Sequence, residues 1–382
     1  MKVWVVSHTY VVAVHHDKLR MLGALDDIEL TVLIPENWET ETATVRLPHM
    51  RFPYDVVVSR IARSGRIGAY RYLDCAPLRR ARADVVHAEV EPWSLAALQL
   101  VRAAAGAPVV LFTWENLEGP RRLISRAIER YVLRRVAHVI AGNEGARARM
   151  LRRGVPDPHI TVLPQLGIDV ARYAGGHAAR ARANHTITTG GQVHSALRSL
   201  GPPIVGFIGR LVPEKGVDIL VEAIERFDAR LLVIGDGVAR AGLEARTSTW
   251  PAGKATFTGA VPEAAVPDYL ACMDALVLPS RTTASWAEQF GHVLIEAMAA
   301  GVPVVGSSSG AIPEVIGEAG LVFPEGDAAG LRAQLAALFD DPALRKRAVE
   351  RGRARVERLY TNERIVRAQR AIYAQVLAER GR

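Results

Sequence analysis

The feature that most constrains this chain is a repeated alternation of short apolar runs, each of strand length, with longer stretches of helical spacing. From the amino terminus come KVWVVSH, IELTVLIP, YDVVVS, ADVVHAE, APVVLFTW, VAHVIAGN and ITVLPQ. They lack strict apolar and polar alternation, so both faces of each strand should be covered, as in a parallel sheet flanked by helices. The stretch YAGGHAARARANHTITTGGQVHSALRSLGPP breaks the pattern with no sustained core stripe and predicts a linker over 173–202. The alternation then restarts with IVGFIGR, ARLLVIGDG, ATFTGAV, DALVLPS, GVPVVGS and GLVFPEG. The expectation is an α/β chain of two doubly wound domains, at 1–172 and 203–360, and a final helix over 361–382. A length of 382 residues suits two cores better than one.

Charge narrows the partners. Residues 1–182 carry 26 Lys and Arg against 18 Asp and Glu, while residues 183–382 carry 22 of each. The excess includes Arg122, Arg126, Arg130 and Arg134, four apart on a predicted helix whose other face carries Leu123, Ile124, Ile128 and Tyr131. This stripe reads either as a solvated face or as a contact for an anionic membrane surface or acidic acceptor. Nucleic acid is not expected, because no recognised module or interleaved aromatic set accompanies the charge. Two distant cysteines, Cys75 and Cys272, argue against a disulfide framework or structural zinc and suit a reducing cytoplasm. The opening apolar run is interrupted by Ser7, His8 and Thr9, so it reads as a first strand rather than a leader. No window reaches the ~18 apolar residues of a membrane helix.

The chemistry gathers at strand ends of the second half. In GFIGRLVPEKG, Gly209 and Arg210 end a strand and Lys215 precedes a helix, so two cations converge on one anion. In EQFGHVLIEAMAAGVPVVGS, Gly291 is expected to open a helix that Gly301 closes. Glu288 then precedes that helix, and Glu296 lies on its second turn. A carboxylate repels phosphate but accepts from hydroxyls, so the two glutamates suit polyols on either side of a diphosphate at the helix mouth. The ligand this describes is a nucleotide sugar. No D-x-D constellation or metal cluster calls for a divalent ion.

Arg210 and Lys215 in GRLVPEKG, Glu288 and Glu296 in EQFGHVLIE, and the following AMAAGVPVVGSSSGAIPEVIG closely resemble the signature of the retaining GT-B glycosyltransferases of family four. VLPQLGIDVARY resembles that family's interdomain segment, and the final helix resembles one that crosses back to the first domain. The resemblance covers nearly the whole chain, most densely 203–330. It implies a GT-B fold of two Rossmann-like domains facing a cleft. It also implies transfer of a hexosyl unit, with retention, from a nucleoside diphosphate sugar to an acceptor hydroxyl, without a metal or other cofactor. By the same resemblance Arg210 and Lys215 hold the donor diphosphate, Glu296 the ribose and Glu288 the transferred sugar. Backbone near Gly209, Phe290 and Gly291 completes the donor site, and Val261 lies where the base is received. A sugar-nucleotide epimerase or a non-catalytic sugar-nucleotide binder is the alternative.

The first half departs from the family. The paired glycines that many relatives carry after the first strand are missing, and His8, His16 and Lys18 stand in that region. Lys18 either substitutes a side-chain charge for backbone donors or is a solvated lysine at a helix start. In DVVHAEVEPWS, His87 matches one family histidine, and Glu89 falls where a catalytic-site histidine is expected. Glu89 and Glu91 are candidates to orient or deprotonate an acceptor hydroxyl, or they solvate a strand end. Trp114 and Asn116 in FTWENLEG read as an acceptor floor or as core packing.

Overall fold

The computed structural model describes residues 1–40, 44–47, 50–119, 121–173, 188–189, 192–193 and 201–381. Most of the predicted linker, at 174–187, 190–191 and 194–200, lies outside the described residues. The chain divides into two units, Met1–Gly167 with Asn362–Arg382, and Ile168–Thr361. Residues 168–172, expected with the first domain, belong to the second. There the Ile168 amide donates to the Tyr360 carbonyl at 3.0 Å.

Unit 1 holds strands β1 (Lys2–Ser7), β2 (Glu29–Pro35), β3 (Asp55–Ser59), β4 (Val85–Glu89), β5 (Val109–Thr113), β6 (His138–Ala141) and β7 (Ile160–Val162) in one sheet. Their order is β7-β6-β5-β4-β1-β2-β3, and every pairing is parallel. All residues of β4 and β5 are buried, which is why VVHAE and VVLFT show no alternation. Helices α1 (His16–Gly23), α2 (Leu95–Ala103), α3 (Leu123–Leu133) and α4 (Glu144–Arg152) connect these strands. Ser94 and Asn143 cap α2 and α4 by accepting from amides three residues on.

In α3 the buried residues are Ile128, Glu129 and Val132. Leu123 and Ile124, expected on the packed face, are instead 83% and 66% exposed beside the arginine stripe. They occupy the first helical positions, ahead of the turn that meets α2.

Unit 2 holds β8 (Ile204–Ile208), β9 (Arg230–Ile234), β10 (Ala255–Phe257), β11 (Ala275–Leu278), β12 (Val304–Ser307) and β13 (Leu321–Phe323), ordered β10-β9-β8-β11-β12-β13 and all parallel. Helices α5 (Val217–Glu225) and α6 (His292–Ala300) follow β8 and β11. In each unit the first strand lies between the second and the fourth, so connections leave it on opposite sides. The strand ends at that reversal form the natural ligand crevice of an open α/β sheet.

The last helix, α7 (Asn362–Arg380), packs Ile365, Val366, Ile372, Tyr373 and Val376 into a unit 1 core containing Val3, Val5, Leu19 and Leu22. The Tyr373 hydroxyl is hydrogen-bonded to buried His87 Nδ1 at 2.7 Å. Burial pushes the His87 pKa down to about 4, so this contact joins two neutral groups. Tyr373→Phe leaves a buried imidazole nitrogen without a partner and is expected to cost about 1–3 kcal/mol. A urea titration of the full chain should show the midpoint of unit 1 falling; an unchanged midpoint would mean the contact contributes nothing.

Candidate functional site

At the reversal point of unit 2, β8 and β11 are direct neighbours. The loop after β8 carries Gly209, Arg210 and Lys215, and the loop after β11 carries Ser280, Glu288 and Gly291. What lets the two loops press together is Gly216. Its φ is +65°, and a Cβ there would lie 2.1 Å from the Pro279 carbonyl oxygen, so no side chain fits. The result is a contact between charges distant in sequence. Lys215 Nζ donates to Glu288 Oε2 at 2.6 Å, and the Ser280 hydroxyl donates to the same oxygen at 2.7 Å. Lys215 also lies 5.2 Å over the Trp286 ring, a cation–π distance. Glu288 is buried, while Arg210 remains exposed on its loop.

Gly291, at φ +81°, opens α6, and Gly301, at φ +74°, closes it. Gly291 has no side chain to cap α6, and the helix start is its positive end. Glu296 is half-buried further along. Burial, reinforced by the Glu263 carboxylate, pushes its pKa up to about 7, against a hydrogen bond from Tyr173 and the charge of Arg172. Phe290 is buried edge-on to Tyr360, with ring centroids 5.5 Å apart. Val261 is half-buried in the loop between β10 and Glu263. A cation, a helix mouth and two carboxylates thus collect within one unit. Sequence reasoning missed Ser280, Trp286 and Tyr173. Ser280, directly after a buried strand, was the readable one, whereas nothing local connects Tyr173 to Glu296.

At the reversal point of unit 1 the protein fills the crevice with its own charges. Lys18 is not solvated, and Glu89 does not line an open strand end; their side chains are 1% and 0% exposed. Lys18 Nζ donates to Glu89 Oε1 at 2.7 Å and to the Gln165 carbonyl at 2.8 Å. The Tyr10 hydroxyl donates to the same Glu89 oxygen at 2.9 Å, and Gln165 Nε2 donates to Glu89 Oε2 at 2.8 Å. Burial alone would raise Glu89, but the Lys18 charge leads a set of partners that holds it below the ordinary carboxylate value. The Glu89 carboxylate is therefore enclosed, with both oxygens accepting hydrogen bonds from the protein.

The His8 ring lies tilted against Trp38 with centroids 4.2 Å apart, and burial lowers its pKa to about 4. His16 is buried, with Nδ1 bonded to the Tyr54 hydroxyl at 2.6 Å. Glu91 is half-buried; Thr113 Oγ1 donates to its Oε2 at 2.6 Å and the Trp114 amide to its Oε1 at 3.0 Å. Burial pushes Glu91 up to about 7. Trp114 is half-buried. Its indole N–H donates to Gln165 Oε1 at 3.0 Å, and its ring lies where a Cβ on Gly142 would come within 2.0 Å. Asn116 is half-buried with its Cβ against Gly145 of α4.

Comparison with known proteins bears on the family and the fold. Residues 193–355 match the family model described as glycosyl transferases group 1, and residues 14–165 match the glycosyl transferase 4-like domain. A 2-deoxystreptamine N-acetyl-D-glucosaminyltransferase of Streptomyces fradiae is 34% identical over 285 residues, 67% of this chain and 63% of that protein. A 2-deoxystreptamine glucosyltransferase of Streptomyces kanamyceticus is 28% identical over 80% of this chain and 81% of its own length. The match therefore spans under two thirds of the first relative. Among solved structures, HepE from Anabaena in complex with UDP gives a TM-score of 0.75 at 16% identity, covering 98% of this chain and 100% of that one. Sucrose-phosphate synthase from Thermosynechococcus elongatus gives 0.72 at 20% identity over 99% and 100%. The fold is GT-B, and the chain belongs to the group 1 glycosyltransferases, family four of that fold.

Proposed function

We propose that this chain transfers a hexosyl unit from a nucleoside diphosphate sugar to an acceptor hydroxyl, with retention of anomeric configuration. The observation that carries the reading is the Lys215–Glu288 contact beside the neighbouring ends of β8 and β11, with α6 and its Glu296 following directly. Lys215 and the α6 amides suit the diphosphate and take up its developing negative charge as it leaves, commonly the largest contribution in such chemistry. A phosphate that draws Lys215 away frees Glu288 Oε2 for a sugar hydroxyl, while Ser280 still donates to it. Glu296 accepts from the ribose, Arg210 adds a second cation, Phe290 and Gly291 border the sugar, and Val261 faces the base. With Glu89 enclosed, the departing diphosphate is the group that assists deprotonation of the acceptor.

A UDP-sugar ranks ahead of GDP-mannose, because HepE was solved with UDP and with UDP-glucose. GDP-mannose comes next, since a relative from Corynebacterium glutamicum, 33% identical over half of this chain, is named as GDP-mannose-dependent. The acceptor is a polyol hydroxyl. Two relatives are named for 2-deoxystreptamine, an aminocyclitol, and another for a phosphatidylinositol mannoside. Transfer proceeds on the cytoplasmic side without a divalent metal, and the basic unit 1 makes a peripheral contact with an anionic membrane. Among the described residues no helix is long and apolar enough to cross a membrane.

A screen of UDP- and GDP-sugars against free aminocyclitols and lipid-linked inositol glycosides, run with EDTA present, tests this reading. Nucleoside diphosphate should appear only with an acceptor, and Lys215→Ala should lower kcat by about 10²–10³-fold. Formation of a new sugar nucleotide would indicate epimerisation, and wild-type turnover by Lys215→Ala would refute the site.

The raised Glu296 carboxyl has a thermodynamic consequence. Between its ordinary value of 4.5 and about 7 the folded chain binds the proton more firmly than the unfolded chain does. Stability of the unliganded protein therefore falls as pH rises through that window, and Glu91 acts in the same sense. Glu296→Gln should raise the melting temperature at the upper end of the window and leave the lower end unchanged. An equal change at both ends would mean the carboxyl is not raised.

A further inference from the structure

Unit 1 contains a cavity of about 1140 Å³ that the transfer chemistry does not use. Arg126 and Arg130 of α3 and Arg134 just past its end line one side, and Arg152 and Arg153 at the end of α4 line another. Residues 136–139, entering β6, and 154–156 with His159, leading into β7, complete it. The cavity therefore lies where strands of the sheet begin, whereas Glu89, Thr113 and the other acceptor-side residues lie where β4 and β5 end. Two acids face it. Glu118 pairs with Arg152 at 3.2 Å and with Arg153 at 2.5 Å, and Glu129 Oε2 pairs with Arg153 at 3.2 Å.

Among the described residues no ion pair engages the guanidinium of Arg126, Arg130 or Arg134, and five arginines share the lining with two glutamates. His138, 2% exposed, also lines the cavity. Its Nε2 is bonded to Thr161 Oγ1 at 2.9 Å, and its buried Nδ1 has no partner. At the start of the same helix, ahead of the pocket arginines, Leu123 and Ile124 stand exposed. A phosphate-bearing group answers the cations. A soluble anion would leave the two apolar side chains without a role, whereas a lipid presents phosphate and acyl chain together.

We propose that this cavity is a headgroup site for a phosphate-bearing lipid, with Leu123 and Ile124 entering the acyl layer. The inference gives a location to the peripheral membrane contact of the transfer reading and rests on it only in that respect. Full-length protein is co-sedimented with phosphatidylcholine vesicles, with or without phosphatidylglycerol, for wild type and for Arg130→Ala/Arg134→Ala, Leu123→Ser/Ile124→Ser and Arg79→Ala/Arg80→Ala. The last pair removes two exposed unit 1 arginines of equal charge away from the cavity. Wild type should bind the anionic vesicles only, and the cavity pair should lose about thirtyfold in affinity. The Leu/Ile pair should also weaken binding, while the control pair changes less than about twofold, the surface field being screened within about 10 Å. Equal loss in cavity and control pairs, retention in the cavity pair, or wild type stabilised by inorganic pyrophosphate yet indifferent to vesicles would overturn the proposal. Donor turnover by the same variants without vesicles should match wild type, so failure here is separable from failure of the transferase reading.

Discussion

The contact between Lys215 and Glu288 is what the account of this molecule depends on. It exists because β8 and β11 are adjacent where strand order reverses, and because Gly216 lets one loop sit against the backbone of the other. Each charge satisfies its neighbour at 2.6 Å, so an arriving ligand has to exchange this contact for better ones. A diphosphate offers Lys215 more negative charge than one carboxylate does, and a sugar hydroxyl offers Glu288 a replacement donor. The ion pair thus keeps two ligand-facing groups oriented before the ligand binds.

The equivalent position in unit 1 shows the opposite arrangement. Lys18 and Glu89 are enclosed, with the carboxylate accepting from Lys18, Tyr10 and Gln165. A buried pair is tolerated when further hydrogen bonds support it, and here the Gln165 carbonyl accepts from Lys18 while Tyr10 and Gln165 donate to Glu89. Through Gln165 the same network reaches the Trp114 indole and Thr9 Oγ1. After the first strand this chain has a charged plug that ties the ends of β1 and β4 to the loop after β7.

Much of the architecture was legible because parallel strands covered on both faces read as continuous apolar runs, and the thirteen labelled strands of the two sheets correspond to the thirteen runs. The donor-side loops were legible as well, since their glycines and charges lie at short, ordered spacing around Gly209–Lys215 and Glu288–Glu296. The rest was lost to distance. Lys18 and Glu89 are 71 positions apart, and nothing near either residue announces an enclosed pair. Leu123 and Ile124 failed for another reason. Helical periodicity says which residues share a face but not which turn of that face meets the core, and α3 begins before its packing does. Trp114 was undecided from sequence because an aromatic beside polar groups suits a sugar or a core equally; in the structure its ring lies against Gly142 and the residue is half-buried.

The central claim is a division of labour within the Lys215 and Glu288 pair, and calorimetric titration of Glu288→Gln with and without the sugar on the ligand tests it most directly. Bare nucleoside diphosphate should bind this variant at least as tightly as wild type, because Lys215 is released from its counter-ion. The nucleoside diphosphate sugar should bind it more weakly than wild type, because the hydroxyl acceptor has lost its charge. Equal weakening for both ligands, or no change for either, would contradict the account.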